Sequence, residues 1–208
     1  MRLQLALDMV DIAGARAILE EVVDLVDIVE IGTPMIIREG VKAVSETKKA
    51  FPQVEVLADL KIMDAGEYEA GMAFDAGADM VTVLGAASDA TVRGVVRHAA
   101  SRQGRVMVDL IAMGNVPARA REVDAWGADY ICVHTASDMR GSGRDSLDDL
   151  AQVGPLLRRA SLAVAGGIDA DSLPRIAEHR PDVVVVGGYI TGHHDRRQAT
   201  LNIRRLLG

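Results

Sequence analysis

Two carboxylates and an ammonium group lie within six residues of one another at the end of an apolar segment. The hexapeptide Asp59-Leu60-Lys61-Ile62-Met63-Asp64 follows residues 54–58, which have the apolar, β-branched composition of a strand. Because alternate residues of a strand share one face, Asp59 and Lys61 are predicted to point the same way, with Asp64 in the following loop. Such charges at the carboxyl end of a strand indicate a candidate active site of an α/β protein.

Other predicted strands also end in residues that could bind a metal or move a proton. Glu30 lies near the end of the second apolar run, and with Asp59 it supplies the hard oxygen ligands that suit Mg²⁺. A carboxylate pair balanced by Lys61, without a metal, is the alternative. His134 ends the sixth run and is a candidate proton shuttle, since an unperturbed imidazole has a pKa near ~6.5. A purely structural histidine is the alternative there.

Acidic and glycine residues complete the series at the predicted strand ends. Asp8 ends the first run, and Asp109 lies near the end of the fifth. The diglycines Gly166-Gly167 and Gly187-Gly188 follow the seventh and eighth runs. Glycines there let backbone N–H groups approach an anion, so these loops predict a phosphate site. Two ordinary tight turns are the alternative.

The elements that must position these residues form a repeated pattern. Short apolar runs alternate with stretches that have helical spacing, as in parallel βα units. Eight such units predict one (β/α)₈ TIM barrel spanning residues 1–208, with its site at the carboxyl ends of the strands. A doubly wound open sheet is disfavoured by the count of eight and by the absence of G-x-G-x-x-G after the first strand. The predicted strands are residues 3–7, 28–31, 54–60, 80–84, 106–110, 130–134, 162–165 and 183–186.

Several residues outside the predicted site are assigned to the scaffold. Asp27, Asp79 and Asp129 precede their strands, so they are interpreted as caps or surface residues on the opposite end of the barrel. Met63, Met72 and Met80 are interpreted as packing residues. The predicted helical stripes include Leu147, Leu150, Ala151 and Leu157 in the sixth helix and Ala199, Ile203, Leu206 and Leu207 in the last. Lys61→Ala is expected to lower turnover far more than stability, and Asp79→Ala to do the reverse.

Composition limits the function classes and the compartment. The net charge of −7 with no basic block argues against a nucleic-acid partner. No apolar run reaches the roughly 18 residues that a membrane span needs, and the N-terminal residues lack a signal-peptide layout. The single cysteine, Cys132, lies in an apolar stretch and is read as a buried, reduced thiol. A cytoplasmic location is the simplest expectation.

The pattern Asp59-x-Lys61-x-x-Asp64 resembles the signature of the orotidine 5′-monophosphate decarboxylase superfamily. Within it, the chain is similar over almost its full length to the 3-hexulose-6-phosphate synthase family. The segments that carry the resemblance are residues 5–8, 29–34, 58–64, 108–111, 133–135, 165–168 and 187–192. Together they are much more specific than the hexapeptide alone.

The resemblance implies an aldol reaction at a TIM-barrel site. Formaldehyde would condense reversibly with D-ribulose 5-phosphate through an enediolate, which Mg²⁺ on Glu30 and Asp59 would stabilise. Lys61 would donate to the enediolate oxygen, His134 would be the general base, and Asp109 would position a water or formaldehyde. The diglycine loops and Asp8 would bind the sugar phosphate. The site would be completed in a homodimer, with Asp64 reaching the partner's active site.

A second family with the same charged residues is the alternative. The 3-keto-L-gulonate-6-phosphate decarboxylases tend to carry Glu at position 109, Thr at 165 and Arg at 188. Here Asp109, Ala165 and Gly188 are synthase-like. One departure affects substrate preference, because Arg140 stands where the synthases commonly carry an uncharged amide.

Overall fold

The computed structural model describes residues 1–139 and 147–208, and they fold as a closed barrel of eight parallel strands. Each strand pairs with the next along the chain, and the first pairs with the last. The predicted TIM barrel is therefore confirmed. The strands are β1 (Arg2–Leu7), β2 (Ile28–Ile31), β3 (Glu55–Ile62), β4 (Met80–Leu84), β5 (Arg105–Asp109), β6 (Tyr130–His134), β7 (Ser161–Ala165) and β8 (Val183–Val186).

Helices surround the barrel and follow the strands. They are α1 (Ile12–Val22), α2 (Thr33–Glu39), α3 (Lys42–Ala50), α4 (Gly66–Asp75), α5 (Asp89–Ser101), α6 (Val116–Ala125), α7 (Leu147–Val153), α8 (Leu173–Ala177), α9 (Gly188–Thr191) and α10 (Arg196–Leu207). Two units depart from simple alternation, because α2 and α3 both lie between β2 and β3, and β8 is followed by two helices. Within the described residues, no helix combines the length and apolar character that crossing a membrane requires.

The helical stripes predicted from the sequence are correct in part. In α7, Leu150 is buried, but Ala151 is exposed, and Leu157 lies beyond the end of the helix. In α10, Leu206 is exposed, whereas Thr200 is buried. Thr200 takes this place because its hydroxyl donates to the backbone oxygen of Arg196, which satisfies its polar group inside the core.

The barrel interior changes from apolar to polar along the strand direction. Side chains alternate between the helix-facing and interior faces of each strand. The part of the interior farther from the carboxyl ends of the strands is filled by residues that include Ile28, Leu57, Met80 and Val183. Nearer the carboxyl ends, the buried polar residues are Gln4, Glu30, Asp59, Thr82 and Asp109. Buried polar groups need hydrogen-bond partners, so this layer forms a network and not a conventional core.

The opposite end of the barrel is held by aspartates that precede alternate strands. Asp27, Asp79 and Asp129 each accept a hydrogen bond from a backbone N–H of the preceding strand, at Leu3, Val56 and Val106, over 2.7–2.8 Å. Asp182 does the same for Leu162. The interpretation of the first three as caps is confirmed, and a fourth capping residue is added.

Candidate active site

Lys61 owes its position to an irregularity in β3. The pairing of β3 with β4 shifts between Ala58 and Ile62, so that four steps along β3 match only two along β4. Lys61 lies in this bulge with φ of 47°, a left-handed conformation that is unfavourable for a residue with a Cβ. The ammonium Nζ lies 2.6 Å from Asp59 Oδ2. Asp59 and Lys61 thus meet as predicted, but through a bulge that simple strand alternation does not describe.

The ammonium of Lys61 bridges two carboxylates inside the barrel mouth. Besides Asp59, its Nζ contacts Asp109 Oδ2 at 3.2 Å, and both carboxylates are almost fully buried. Burial lowers the pKa of Lys61, but the attraction of Asp59 and Asp109 outweighs it and raises that pKa above its ordinary value. Lys61 is therefore a fixed cation, suited to stabilising negative charge and not to accepting a proton.

His134 is joined to the same network through Asp109. Its Nδ1 lies 2.9 Å from Asp109 Oδ2, while Asp109 Oδ1 accepts the backbone N–H of Ile111. Burial opposes ionisation of Asp109, but the hydrogen bond and charge of His134, together with Lys61, lower its pKa. An ionised carboxylate only accepts hydrogen bonds, so Nδ1 carries a proton and Nε2 is left as the basic nitrogen.

The contacts of Asp109 indicate a role beyond the one predicted from the sequence. Its side chain is only 4% exposed, and its oxygens are already engaged by His134, Lys61 and Ile111. A carboxylate held in this way orients the imidazole more directly than it could position a water or formaldehyde. These contacts therefore favour Asp109 as a residue that orients His134.

Glu30 lies in a buried, electronegative part of the barrel. Its Oε2 accepts a 2.7 Å hydrogen bond from Gln4 Nε2. Burial and the neighbouring negative charges of Asp59 and Asp8 raise the pKa of Glu30 well above its ordinary value, and Lys61 offsets only part of this. A divalent cation between these carboxylates would relieve the repulsion.

The residues present fit a magnesium ion that depends on substrate for its remaining ligands. Glu30 and Asp59 are buried carboxylates whose charges interact, which is the hard-oxygen pair that the sequence predicts. Among residues 1–139 and 147–208, no group of three or more His, Cys, Asp or Glu side chains is arranged to hold a metal. Magnesium usually keeps several waters and takes further ligands from a substrate, so two protein carboxylates suffice.

The diglycine loop after β7 has a backbone shape that a side chain would block, whereas the loop after β8 has room for one. Gly166 and Gly167 have φ of 106° and 68°, and a Cβ on Gly166 would collide with the backbone oxygen of Thr135. Gly187 follows the last residue of β8, and Gly188 opens the four-residue helix α9. A Cβ added at Gly188 would meet no atom within 4 Å, so the loop borders open space.

Asp8 lies beside the loop that follows β8. A Cβ added at Gly187 would lie 3.5 Å from Asp8 Oδ2, and one added at Gly32 would collide with Asp8 Oδ1. The carboxylate therefore occupies the rim between the ends of β2 and β8, where the prediction places a substrate-binding residue.

Asp64 is the predicted site residue that the structure does not bring to the cluster. Its side chain is exposed in the loop before α4, and within the described ranges it makes no hydrogen bond or ion pair. Arg140, the residue expected to affect substrate preference, lies outside the described residues.

Three site residues were missed in the sequence: Gln4, Thr33 and Thr82. Thr82 donates to Asp59 Oδ1 at 2.7 Å, and the hydroxyl of Thr33 lies 2.8 Å from Asp59 Oδ2. Gln4 and Thr82 lie within apolar strand runs, and an isolated polar residue on the interior face of a strand was the available signal.

Comparison with known proteins identifies the family to which this chain belongs. Residues 1–203 match the model of the orotidine 5′-phosphate decarboxylase / HUMPS family. The chain belongs to this family. Its relatives include a 3-hexulose-6-phosphate synthase of Bacillus subtilis, 47% identical over 207 residues, which cover 100% of this chain and 99% of the relative.

Solved structures agree with the fold, and a synthase is more similar to this chain than a decarboxylase. A 3-hexulose-6-phosphate synthase from Salmonella typhimurium superposes with a TM-score of 0.96 at 44% identity, covering 100% of this chain and 98% of that one. A 3-keto-L-gulonate-6-phosphate decarboxylase from Vibrio cholerae gives 0.88 at 27% identity, covering 99% and 96%. The predicted resemblance and the prediction of an enzyme of the carbon–carbon lyase class are confirmed by these relatives.

Proposed function

We propose that this protein catalyses the reversible aldol condensation of formaldehyde with D-ribulose 5-phosphate to give a 3-hexulose 6-phosphate. The observation that carries the proposal is the continuous chain of contacts from Asp59 through Lys61 and Asp109 to His134. It joins a candidate metal ligand, a fixed cation and an oriented base in one barrel mouth. The full-length similarity to relatives named 3-hexulose-6-phosphate synthase supports the same product.

Glu30 and Asp59 would hold Mg²⁺ in this proposal. When bound, the ion would supply Lewis-acid polarisation of the sugar oxygens, which makes the neighbouring C–H bond more acidic. The chain's own contribution is to hold the two carboxylates in place, through Gln4 on Glu30 and through Thr33 and Thr82 on Asp59.

The proton transfer is assigned to His134. Its Nε2 removes a proton from C1 of the ketose, and the C–H electron pair forms the C1–C2 double bond while the carbonyl pair moves to oxygen. Lys61 donates a hydrogen bond to that enediolate oxygen. C1 then attacks the carbon of formaldehyde, a C–C bond forms, and the former aldehyde oxygen takes the proton back from His134.

The phosphate group is assigned to the loops after β7 and β8. The positive φ values of Gly166 and Gly167 and the absence of side chains at Gly187 and Gly188 leave backbone N–H groups accessible to an anion. Asp8, on the rim beside Gly187, is assigned to the hydroxyl groups of the sugar. It is a poor neighbour for phosphate, but a carboxylate readily accepts hydroxyl hydrogen bonds.

We also propose a homodimer in which Asp64 enters the partner's active site. Asp64 is exposed, and three large apolar side chains within eight residues of it in the sequence are exposed as well. Exposed apolar side chains that form one patch are typical of a protein–protein interface. Met63 is 53% exposed, Tyr68 74% and Met72 44%. The interpretation of Met63 and Met72 as packing residues within one chain is therefore wrong, whereas Met80 is fully buried.

A cytoplasmic location is likewise proposed, in keeping with a phosphorylated substrate and the buried thiol of Cys132.

The test is formaldehyde consumption by the purified protein with Mg²⁺, in the presence and absence of ribulose 5-phosphate. The proposal predicts consumption that requires the sugar phosphate and stops when EDTA is added. No consumption at saturating Mg²⁺ would reject it. Release of CO₂ from 3-keto-L-gulonate 6-phosphate, without formaldehyde consumption, would assign the chain to the decarboxylase activity instead.

A further inference from the structure

Thr82 joins the bulge of β3 to the carboxylate of Asp59 with a single hydroxyl group. The backbone N–H of Lys61 donates to Thr82 Oγ1 at 2.9 Å, and Thr82 Oγ1 donates to Asp59 Oδ1 at 2.7 Å. An N–H can only donate and a carboxylate can only accept, so the direction of both bonds is fixed. Thr82 is 3% exposed, which places this link inside the protein.

The link compensates for a cost of the bulge. The register shift takes Lys61 out of the regular ladder between β3 and β4, and its φ of 47° is strained for a residue other than glycine. The N–H of Lys61 would lack its ladder partner in the barrel wall without the hydroxyl of Thr82. A left-handed residue persists only where its surroundings hold it, and this hydrogen bond is such a constraint.

From this geometry we infer that Thr82 is a positioning residue that fixes where the ammonium of Lys61 lies. It acts from β4 on both ends of the Lys61–Asp59 pair, through the backbone of one and the side chain of the other. The inference rests on the proposed function for its kinetic consequences, but its structural part is independent of it. A displacement of about 1 Å at a reacting group can cost ~100-fold in rate, so the effect is measurable.

Two substitutions isolate the hydroxyl from the shape of the side chain. Thr82→Val keeps the branched shape and removes the hydroxyl, while Thr82→Ser keeps the hydroxyl and removes only a methyl group. Thr200→Val is the matched control, because Thr200 is fully buried and its hydroxyl makes a 2.7 Å hydrogen bond within α10. Steady-state kinetics with ribulose 5-phosphate and formaldehyde, thermal unfolding, and amide exchange of Lys61 followed by NMR are measured for each variant.

Thr82→Val is expected to lower kcat by about tenfold or more, with KM for ribulose 5-phosphate changed by less than about twofold, because Thr82 lies away from the phosphate loops. Thr82→Ser should recover kcat to within about threefold of wild type. The Lys61 amide should exchange at least ~10-fold faster in Thr82→Val and retain its protection in Thr82→Ser. Thr200→Val should lower stability without changing kcat.

Two results would overturn the inference. One is a Thr82→Val enzyme with wild-type kcat. The other is an equal loss in the Val and Ser variants that follows their loss of stability, since this would mean that Thr82 only packs. If the wild-type protein does not consume formaldehyde, the proposed function fails, and Lys61 amide exchange alone then decides whether Thr82 fixes the bulge.

Discussion

Asp109 Oδ2 lies 2.9 Å from His134 Nδ1, and this contact leaves Nε2 as the basic atom of the imidazole. Asp109→Asn tests its importance. An amide can donate to Nδ1, which would favour the wrong tautomer, and it would also remove one of the two negative charges beside Lys61. We expect kcat to fall by about 100-fold or more with little change in KM, measured by steady-state kinetics. A loss of less than about threefold would show that Asp109 does not orient the base.

Lys61→Ala and Asp79→Ala separate the two ends of the barrel. Lys61→Ala should reduce turnover by about 10²–10³-fold. The structure changes the expectation for stability, because Asp59 and Asp109 would be left buried without their shared cation, and a loss of about 3 kcal/mol is expected. Turnover is measured on the folded fraction, which is determined by denaturant unfolding of the same samples.

Asp79→Ala should lower stability alone. It removes the acceptor for the Val56 N–H and the 2.7 Å contact with Lys48, at a cost of about 1–2 kcal/mol. The kcat should stay within about twofold of wild type, since no mouth residue is touched. A comparable loss of turnover in Asp79→Ala would mean that the division of charges by strand end is wrong.

Glu30→Gln should make the metal-free protein more stable at neutral pH. Burial and the charges of Asp59 and Asp8 raise the pKa of Glu30 in the folded state, so its contribution is favourable below the ordinary pKa of glutamate. This contribution is lost as the pH rises through the folded-state pKa. The melting-temperature advantage of Glu30→Gln in EDTA should therefore grow as the pH rises from the ordinary pKa of glutamate toward the raised folded-state pKa of Glu30.

Glu178→Gln is the control for this titration, because Glu178 is exposed. It should show no change in relative stability across the same pH range. If Glu30→Gln were less stable than wild type at neutral pH without metal, the buried carboxylate would be a stabilising group and not a strained one.

A mixture of inactive variants tests the proposed dimer. Asp64→Ala should retain its fold but lose activity, because the missing carboxylate belongs to the partner's mouth. When Asp64→Ala and Lys61→Ala chains are unfolded and refolded together, a random mixture should recover about one quarter of wild-type activity, since half of the dimers are hybrids with one intact site. No recovery, with hybrids present by mass spectrometry, would place Asp64 in its own chain's site, and an active Asp64→Ala protein would place it outside any site.

The sequence predicted the barrel and most of the mouth because both follow simple periodicities. Parallel strands buried on both faces appear as apolar runs, and closure brings their carboxyl ends together whatever the loops contain. Asp8, Glu30, Asp59, Asp109 and His134 could therefore be assigned to one end without coordinates. The capping role of Asp79 followed from the same argument.

The remaining features depend on local geometry that periodicity does not describe. The bulge at Lys61 is visible only in the register of β3 against β4, and the hydroxyl of Thr82 that supports it looks like an ordinary strand residue in the sequence. The role of Asp109 likewise depended on which oxygen faces which nitrogen. Exposure of Met63 depends on the direction of one loop side chain, which the composition of the hexapeptide does not fix.

Exchange of the C1 protons of ribulose 5-phosphate with solvent deuterium tests the central claim most directly. The claim is that His134, held by Asp109 beside Lys61, removes a C1 proton before any C–C bond forms. In D₂O with Mg²⁺ and without formaldehyde, ¹H NMR should show loss of one C1 proton signal with wild-type protein and none with His134→Gln. Formaldehyde consumption by wild type without any C1 exchange, or exchange that persists in His134→Gln, would contradict the account.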